Sequence, residues 1–210
     1  MVETIGISQG IRNLTEVHLK FNLTRNQSSN FFTEWTDNLP DLSVQEKQTL
    51  DSLKERYLYY ASDNSITEVT LNIIMISPLL ELANLCDTPF KIKAEQAVKI
   101  ELKDSDIILQ GFIDALVIKE QFWVIVIEAK RYGFNISLAI PQALTSMMAN
   151  TKQESPIFGL VTNGEDYIFI KVSHQNQQYD ISDKLTLGKR NNQEFYQVFQ
   201  IIKNIKQFLL

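Results

Sequence analysis

Residues 111–133, GFIDALVIKEQFWVIVIEAKRYG, set Asp114 in one apolar stretch and Glu128 and Lys130 at the end of the next. Two carboxylates beside an ammonium can work on a phosphodiester. The carboxylate oxygens suit a hard cation such as Mg²⁺, which lowers the pKa of a water and neutralises charge developing on the phosphate, while the lysine holds or activates that water. Residues two apart on a strand project to one face, so Glu128 and Lys130 share a side. A turn near 119–121 folds the two stretches together and brings position 114 beside 128. Three ionisable groups in the middle of a sheet cost on the order of several kcal/mol to desolvate unless they are paired or bind a cation. The inert alternative is a Glu128–Lys130 pair at a strand end that only neutralises itself.

The elements that must position these groups follow from hydrophobic period. AEQAVKIELKDSDIILQGFIDALVIKEQFWVIVIEAK is broken at Lys103-Asp104-Ser105 and at Lys119-Glu120-Gln121 and is rich in β-branched residues. It predicts an antiparallel meander with strands near 95–103, 106–118 and 122–130. Upstream, the capping-box pattern Ser43-Val-Gln-Glu46 and the spacing of Leu50, Leu53, Tyr57 and Tyr60 predict a helix near 43–61, with the tyrosines as packing residues. Ser65 precedes ITEVTLNIIMISPLLELANL, too long for a strand and read as a helix kinked at Pro78. Cys86 follows as a core or helix-end residue. Downstream, Ser137 opens the helical LAIPQALTSMMAN, and IFGLVTNGEDYIFIKV reads as two strands about an Asn163-Gly164 turn. Residues 173–192 read as a loop or edge strand, and Phe195, Val198, Phe199, Ile202, Ile205 and Leu209 as a final amphipathic helix. Residues 1–40, rich in Asn, Ser and Thr, read as a loosely packed arm or added layer without chemistry of its own.

Composition excludes several classes. The 210 residues are long enough for one domain with a substantial core, and 44% hydrophobic with 21% charged residues is ordinary for a globular chain. One cysteine, Cys86, with His18 and His174 distant in sequence, gives neither a disulfide nor a Cys/His zinc site. No secretory signal and no membrane-spanning apolar run is expected, and a cytoplasmic location follows. The formal charge of −5 argues against coating nucleic acid by charge alone. Residues 1–129 carry 11 Lys/Arg against 19 Asp/Glu and residues 130–210 carry 9 against 6, so a basic surplus begins at Lys130 and Arg131.

Asp114, thirteen residues, then Glu128-Ala129-Lys130 resembles the motif of the PD-(D/E)xK nuclease superfamily. With Glu68 in ITEVTLNIIMISPLLEL, Gln142 in the following helix, and GLVTNGEDYIFI, it is similar to the N-terminal nuclease domain of type I restriction enzyme R subunits and their stand-alone relatives. The resemblance covers about residues 65–172. It implies a restriction-endonuclease-like α/β fold of the α+β type: a helix, a three-strand antiparallel meander, a helix, then a strand and its hairpin partner, in a mixed central sheet flanked by helices. Residues 1–64 would be an N-terminal helical extension and 173–210 a loop and helix packing on the core. By the same resemblance the metal ligands would be Glu68, Asp114, Glu128 and the carbonyl of Ala129, with Lys130 at the catalytic lysine position and Gln142 at the supporting glutamine. The sequence departs from the family where Ile113 replaces proline, where Gln142-Ala-Leu-Thr-Ser146 lacks the aromatic of Gln-x-x-x-Tyr, and in having no G-x-x-x-x-G-K-[S/T] loop.

The expected function is therefore an Mg²⁺-dependent endonuclease, with Mn²⁺ able to substitute, acting on DNA, less readily on RNA. No nucleotide cofactor is expected, and a homodimer or partner subunit is. The alternative is an inactive nuclease-fold scaffold or binding subunit acting with a partner protein.

Overall fold

The computed structural model describes residues 3–64, 66–102, 106–150, 154–188 and 190–208. In chain order the strands are β1 Glu3–Gly6, β2 Thr24–Arg25, β3 Phe90–Glu101, β4 Ile107–Lys119, β5 Phe122–Ala129, β6 Ile157–Thr162, β7 Asp166–Ser173, β8 Gln178–Ile181 and β9 Leu185–Thr186. The α-helices are α1 Ile7–Gly10, α2 Leu14–Phe21, α3 Val44–Ala61, α4 Glu68–Leu71, α5 Ser77–Leu82, α6 Ile140–Met147 and α7 Gln193–Phe208. The strands form one mixed sheet in the order β1-β4-β5-β6-β7-β8-β2, with β3 also on β4 and β9 also on β7. β1 lies parallel to β4 over 107–110, while β5 pairs with 115–119, so the N-terminal strand extends the side of β4 that β5 leaves.

The sheet is buried on both faces because both faces carry helices. One apolar layer joins Leu50, Leu53 and Tyr57 of α3, Leu79 and Leu80 of α5 and Phe195, Val198 and Phe199 of α7 to Ile125, Ile127 and Ala129 of β5. The other joins Ile7, Val17 and Ala143, Leu144 and Met147 of α6 to Val126, Val161 and Ile168. A central strand covered on two sides reads as a continuous apolar run, as VIVIEA of β5 does.

The meander is present as antiparallel β3-β4-β5, although β3 begins at Phe90, earlier than expected. Its first predicted break, at 103–105, lies outside the described residues; its second is a turn at Glu120-Gln121, with Glu120 at φ 56°. α3 starts at Ser43 with both halves of the capping box formed. The segment 66–85 departs from a single kinked helix. Ser65 lies outside the described residues, and Thr67 caps α4 by accepting from the Thr70 N–H. A π-helical turn, Asn72–Ile76, then leads into α5 with Pro78 in its first turn. Proline lacks the N–H that an α-helix requires there, and the wider turn absorbs the defect where a kink was expected.

The N-terminal segment is an added layer, contributing β1 and β2 to the sheet as well as helices. Lys171 fastens its loop to the sheet, donating to Phe31 O at 2.8 Å and to Glu34 Oε1 at 2.6 Å. Residues 173–192 supply β8 and β9. Of the three tyrosines of α3, Tyr57 is buried, whereas Tyr59 is 74% exposed and its ring meets only the neighbouring Tyr60 edge-on at 5.7 Å among the ring contacts of the described residues. Cys86 is exposed beyond α5, outside the core.

The β6–β7 turn contains the Asn163-Gly164 pair, with Asn163 Oδ1 accepting from the N–H groups of Glu165 and Asp166. Gly164 has φ +87°, and a Cβ there would stand 2.3 Å from the Tyr57 ring and 2.6 Å from Leu71 of α4. The missing side chain lets α3 and α4 seat against the turn. Gly164→Ala is therefore expected to lower stability by about 2–4 kcal/mol in urea unfolding, from combined overpacking and a left-handed backbone that alanine disfavours. A loss below about 0.5 kcal/mol would show that the turn does not set this packing.

Candidate functional site

The pairing of Ala115 with Ile127 is the last step of the β4–β5 ladder, and it leaves Asp114 beside Glu128. There the Asp114 side chain continues the ladder: its Oδ2 accepts from the Ala129 N–H at 2.7 Å. Two irregularities set this geometry. Val117 pairs with Ile125 but Ile118 with Trp123, so Val124 is an extra residue on β5. On β4, Ile113 lies in the α6 layer but Ala115 in the opposite one, so alternation slips at Asp114. Glu95, across from it on β3, has φ 48°. Local slips of this kind re-aim a side chain at the cost of one ladder position.

Glu128 follows Val126 onto the face covered by α6. It is 1% exposed, and Lys130 Nζ donates to its Oε1. Its other oxygen, Oε2, is buried with no hydrogen-bond partner among the described residues. Lys130 Nζ also stands 4.0 Å from Glu68 Oε1. Glu68 reaches this point because the chain beyond β5 holds it there. The Lys130 N–H donates to Thr162 O at 2.8 Å and the Tyr132 N–H to Ile66 O at 3.1 Å, so residues 66–68 are tied alongside 130–132. Burial pushes the Glu128 carboxyl up to about 7, with Lys130 opposing and Asp114 and Glu68 reinforcing the rise. Asp114 is raised too, chiefly by burial and against the Ala129 N–H bond.

The structure thus brings Glu68, Asp114, Glu128 and Lys130 into one electrostatic cluster. Ala129 is fully buried and contributes its N–H to Asp114. Gln142 is half-buried in the first turn of α6, and no hydrogen bond among the described residues joins it to the carboxylates. Three carboxyl groups against one ammonium would leave two negative charges uncompensated on full ionisation, and the donors are all oxygen, so the cluster suits a hard divalent cation in kind. Among the described residues, no group of three or more His, Cys, Asp or Glu side chains stands close enough together to hold an ion as it is. The exposed Glu68 is the carboxylate with room to move.

Beside the cluster opens a cleft of about 470 Å³ lined by Ile66, Thr67, Glu68, Val69, Arg131 and Tyr132, together with Asn64. Charge imbalance in the C-terminal part of the sequence does not by itself mark a binding face. Lys171, Lys184 and Lys203 pair with Glu34, Asp166 and Glu46, and Lys206 donates to Ala83 O. Among the described residues of that part, Arg131 and Arg190 are the cations whose side chains carry no ion pair or hydrogen bond. Lys152 and Lys189 lie outside the described residues.

No helix among the described residues is long and apolar enough to cross a membrane. No family model matches the chain, and no curated protein matches it. Among solved structures it is similar to one described as a fragment of an HsdR subunit of a type I restriction enzyme from Vibrio vulnificus YJ016, at 16% identity and a TM-score of 0.41, over 65% of this chain and 26% of that one. The chain thus spans about a quarter of that chain's length, and a likeness of this degree assigns neither a family nor a site.

The raised Glu128 carboxyl gives a pH-dependent stability of defined sign. In the unfolded chain this group titrates near 4.5 and in the fold near 7. Below 4.5 it is protonated in both states and costs nothing. As pH rises through the window the unfolded chain releases its proton first, so stability falls and levels off above 7, by about 3 kcal/mol from this group. Glu128→Gln is expected to remove that fall, so that in urea unfolding it gains on the parent between pH 5 and pH 8. If Glu128→Gln instead becomes less stable relative to the parent as pH rises, Glu128 and Lys130 are a net stabilising ion pair.

Proposed function

We propose that this chain is a metal-dependent phosphodiesterase of the PD-(D/E)xK type, an endonuclease acting on DNA. The observation that carries the reading is the buried, unpartnered Oε2 of Glu128 in a cluster whose three carboxylates outnumber its one ammonium. A buried polar atom without a partner calls for an explanation, and a bound ion is one that fits a carboxylate with two more carboxylates beside it; Glu34 Oε2, buried likewise, has no such company among the described residues.

In this reading Asp114 and Glu128 would hold Mg²⁺ or Mn²⁺, with Glu68 and the Ala129 carbonyl completing the set. The ion, when bound, supplies Lewis acidity toward the phosphate and toward water. The chain's own residues do the rest. Lys130, held by Glu128 and Glu68, positions a water against the phosphorus and stabilises charge on the phosphate oxygens. The Ala129 N–H fixes the Asp114 rotamer, so that its free oxygen Oδ1 stays available. Gln142 is kept as a supporting residue of the α6 face. The scaffold alternative draws on the Lys130–Glu128 contact, which also suits a self-contained buried pair.

Titration calorimetry with Mn²⁺ and a plasmid-nicking assay separate the two. Parent protein is expected to bind Mn²⁺, to nick DNA with Mg²⁺ or Mn²⁺ and to be silent in EDTA. Asp114→Asn and Glu128→Gln should each weaken Mn²⁺ binding at least tenfold and abolish nicking. Lys130→Met should abolish nicking while Mn²⁺ still binds, because both carboxylates remain and a competing positive charge is gone. A parent that binds no Mn²⁺ and in which Lys130→Met costs about 3–5 kcal/mol of stability belongs to the scaffold class.

A further inference from the structure

The cleft beside the cluster has a composition and a position of its own. Its lining includes the buried Ile66, the exposed Val69, the half-buried Tyr132 and the exposed Arg131. Arg131 is one of the two described cations of the C-terminal part with no ion pair, whereas every other described one is tied down. The cleft is joined to the cluster at two points. Glu68 belongs to both, and Arg131 and Tyr132 follow Lys130 directly, entering a turn closed by the Phe134 N–H on Arg131 O.

We infer that this cleft seats one unpaired nucleotide of a DNA strand next to the phosphate presented to Lys130. The inference rests on the nuclease reading for the identity of the strand, and three features select the occupant. At about 470 Å³ the cleft is in the size range of a small-molecule site and far too small for a duplex. Its lining includes an aromatic ring, Tyr132, and an aliphatic side chain, Val69, on which a base packs without regard to sequence. It also includes a guanidinium, Arg131, which suits a phosphate bidentately. Glu68 in the lining disfavours an anion beside it, so the phosphate goes to Arg131 and the base to Tyr132. A chain with this cleft prefers substrates carrying a single-stranded segment, such as flaps, frayed ends or melted duplex, over intact blunt duplex.

The test uses fluorescence anisotropy in EDTA, where nothing is cleaved, with a fluorescein-labelled twelve-residue oligothymidylate and a blunt hairpin duplex as probes. The oligothymidylate is expected to bind at least fivefold more tightly than the duplex. Arg131→Gln removes the guanidinium and Val69→Trp fills the cleft, both at exposed positions that leave the core intact; each is expected to weaken the single strand about tenfold and the duplex less than twofold. Tyr132→Phe should bind as the parent does, and Tyr132→Ala should follow Val69→Trp. If the parent is active, Arg131→Gln should raise KM for a flapped substrate while kcat stays within twofold. Equal binding of the two probes, or single-strand binding unmoved by Val69→Trp, overturns the inference. Because binding is read without metal, a chain that fails to nick DNA yet shows this pattern loses the nuclease reading and keeps the cleft. A chain that nicks DNA without the pattern does the reverse.

Discussion

Glu128 is the residue around which the rest is arranged. A carboxyl 1% exposed at the end of a central strand, with one oxygen on Lys130 and the other without a partner among the described residues, is an unfavourable object that the fold has to hold in place. Its burial is a consequence of where β5 lies: β4 on one side, β6 on the other and α6 over its face. The strand cannot expose Glu128 without giving up Val126, Ile127 and Ala129, which belong to the two apolar layers. Hydrophobic burial of the neighbours therefore sustains the electrostatic tension at this one position.

The features that look irregular are those that serve it. The extra residue Val124 in β5 and the slip of β4 at Asp114 set the two carboxylates side by side. Asp114 then uses one oxygen on the Ala129 N–H, where a regular ladder would have used a carbonyl. Beyond the strand, the hydrogen bond from Tyr132 to Ile66 carries a third carboxylate, Glu68, to within 4.0 Å of the same ammonium. Gly164 allows α3 and α4 to press onto the β6–β7 turn and so keeps the Glu68 segment at its distance.

The part of this legible in the sequence was the part written by local period. Alternation and β-branched runs give β4 and β5, and with a turn at 120–121 they bring Asp114 to the neighbourhood of Glu128, but the extra residue Val124 that sets the two side by side is not written in the period. The Ser43 capping box and the Asn163-Gly164 turn carry their own chemistry, and both are formed. What escaped depends on distant partners. β1 and β2 are four and two residues long and are strands because β4 and β8 offer free edges to ETIG and TR, which nothing in those tetrads and pairs announces. The π-helical turn is how the chain passes Pro78, which the sequence marks only as a break in the helix and not as the form that the break takes. The basic surplus after residue 129 pointed to a binding face, yet most of its described lysines are structural, and what remains near the cluster is Arg131. The cleft that Arg131 shares with Ile66 and Val69 needs two segments some 65 residues apart in sequence, so no motif marks it.

Whether Glu128 takes up a cation, as proposed, is read most directly from its own titration. Carbon-13 NMR of protein labelled at the glutamate side-chain carboxyl, followed from pH 4 to pH 9 with and without Mg²⁺, reads the group itself. The account predicts a midpoint near 7 in the absence of divalent ions, moving down by at least one pH unit as Mg²⁺ is added, since a bound cation favours the ionised form. A midpoint near 4.5 or below that Mg²⁺ does not move would contradict it, and would make Glu128 and Lys130 a closed structural pair.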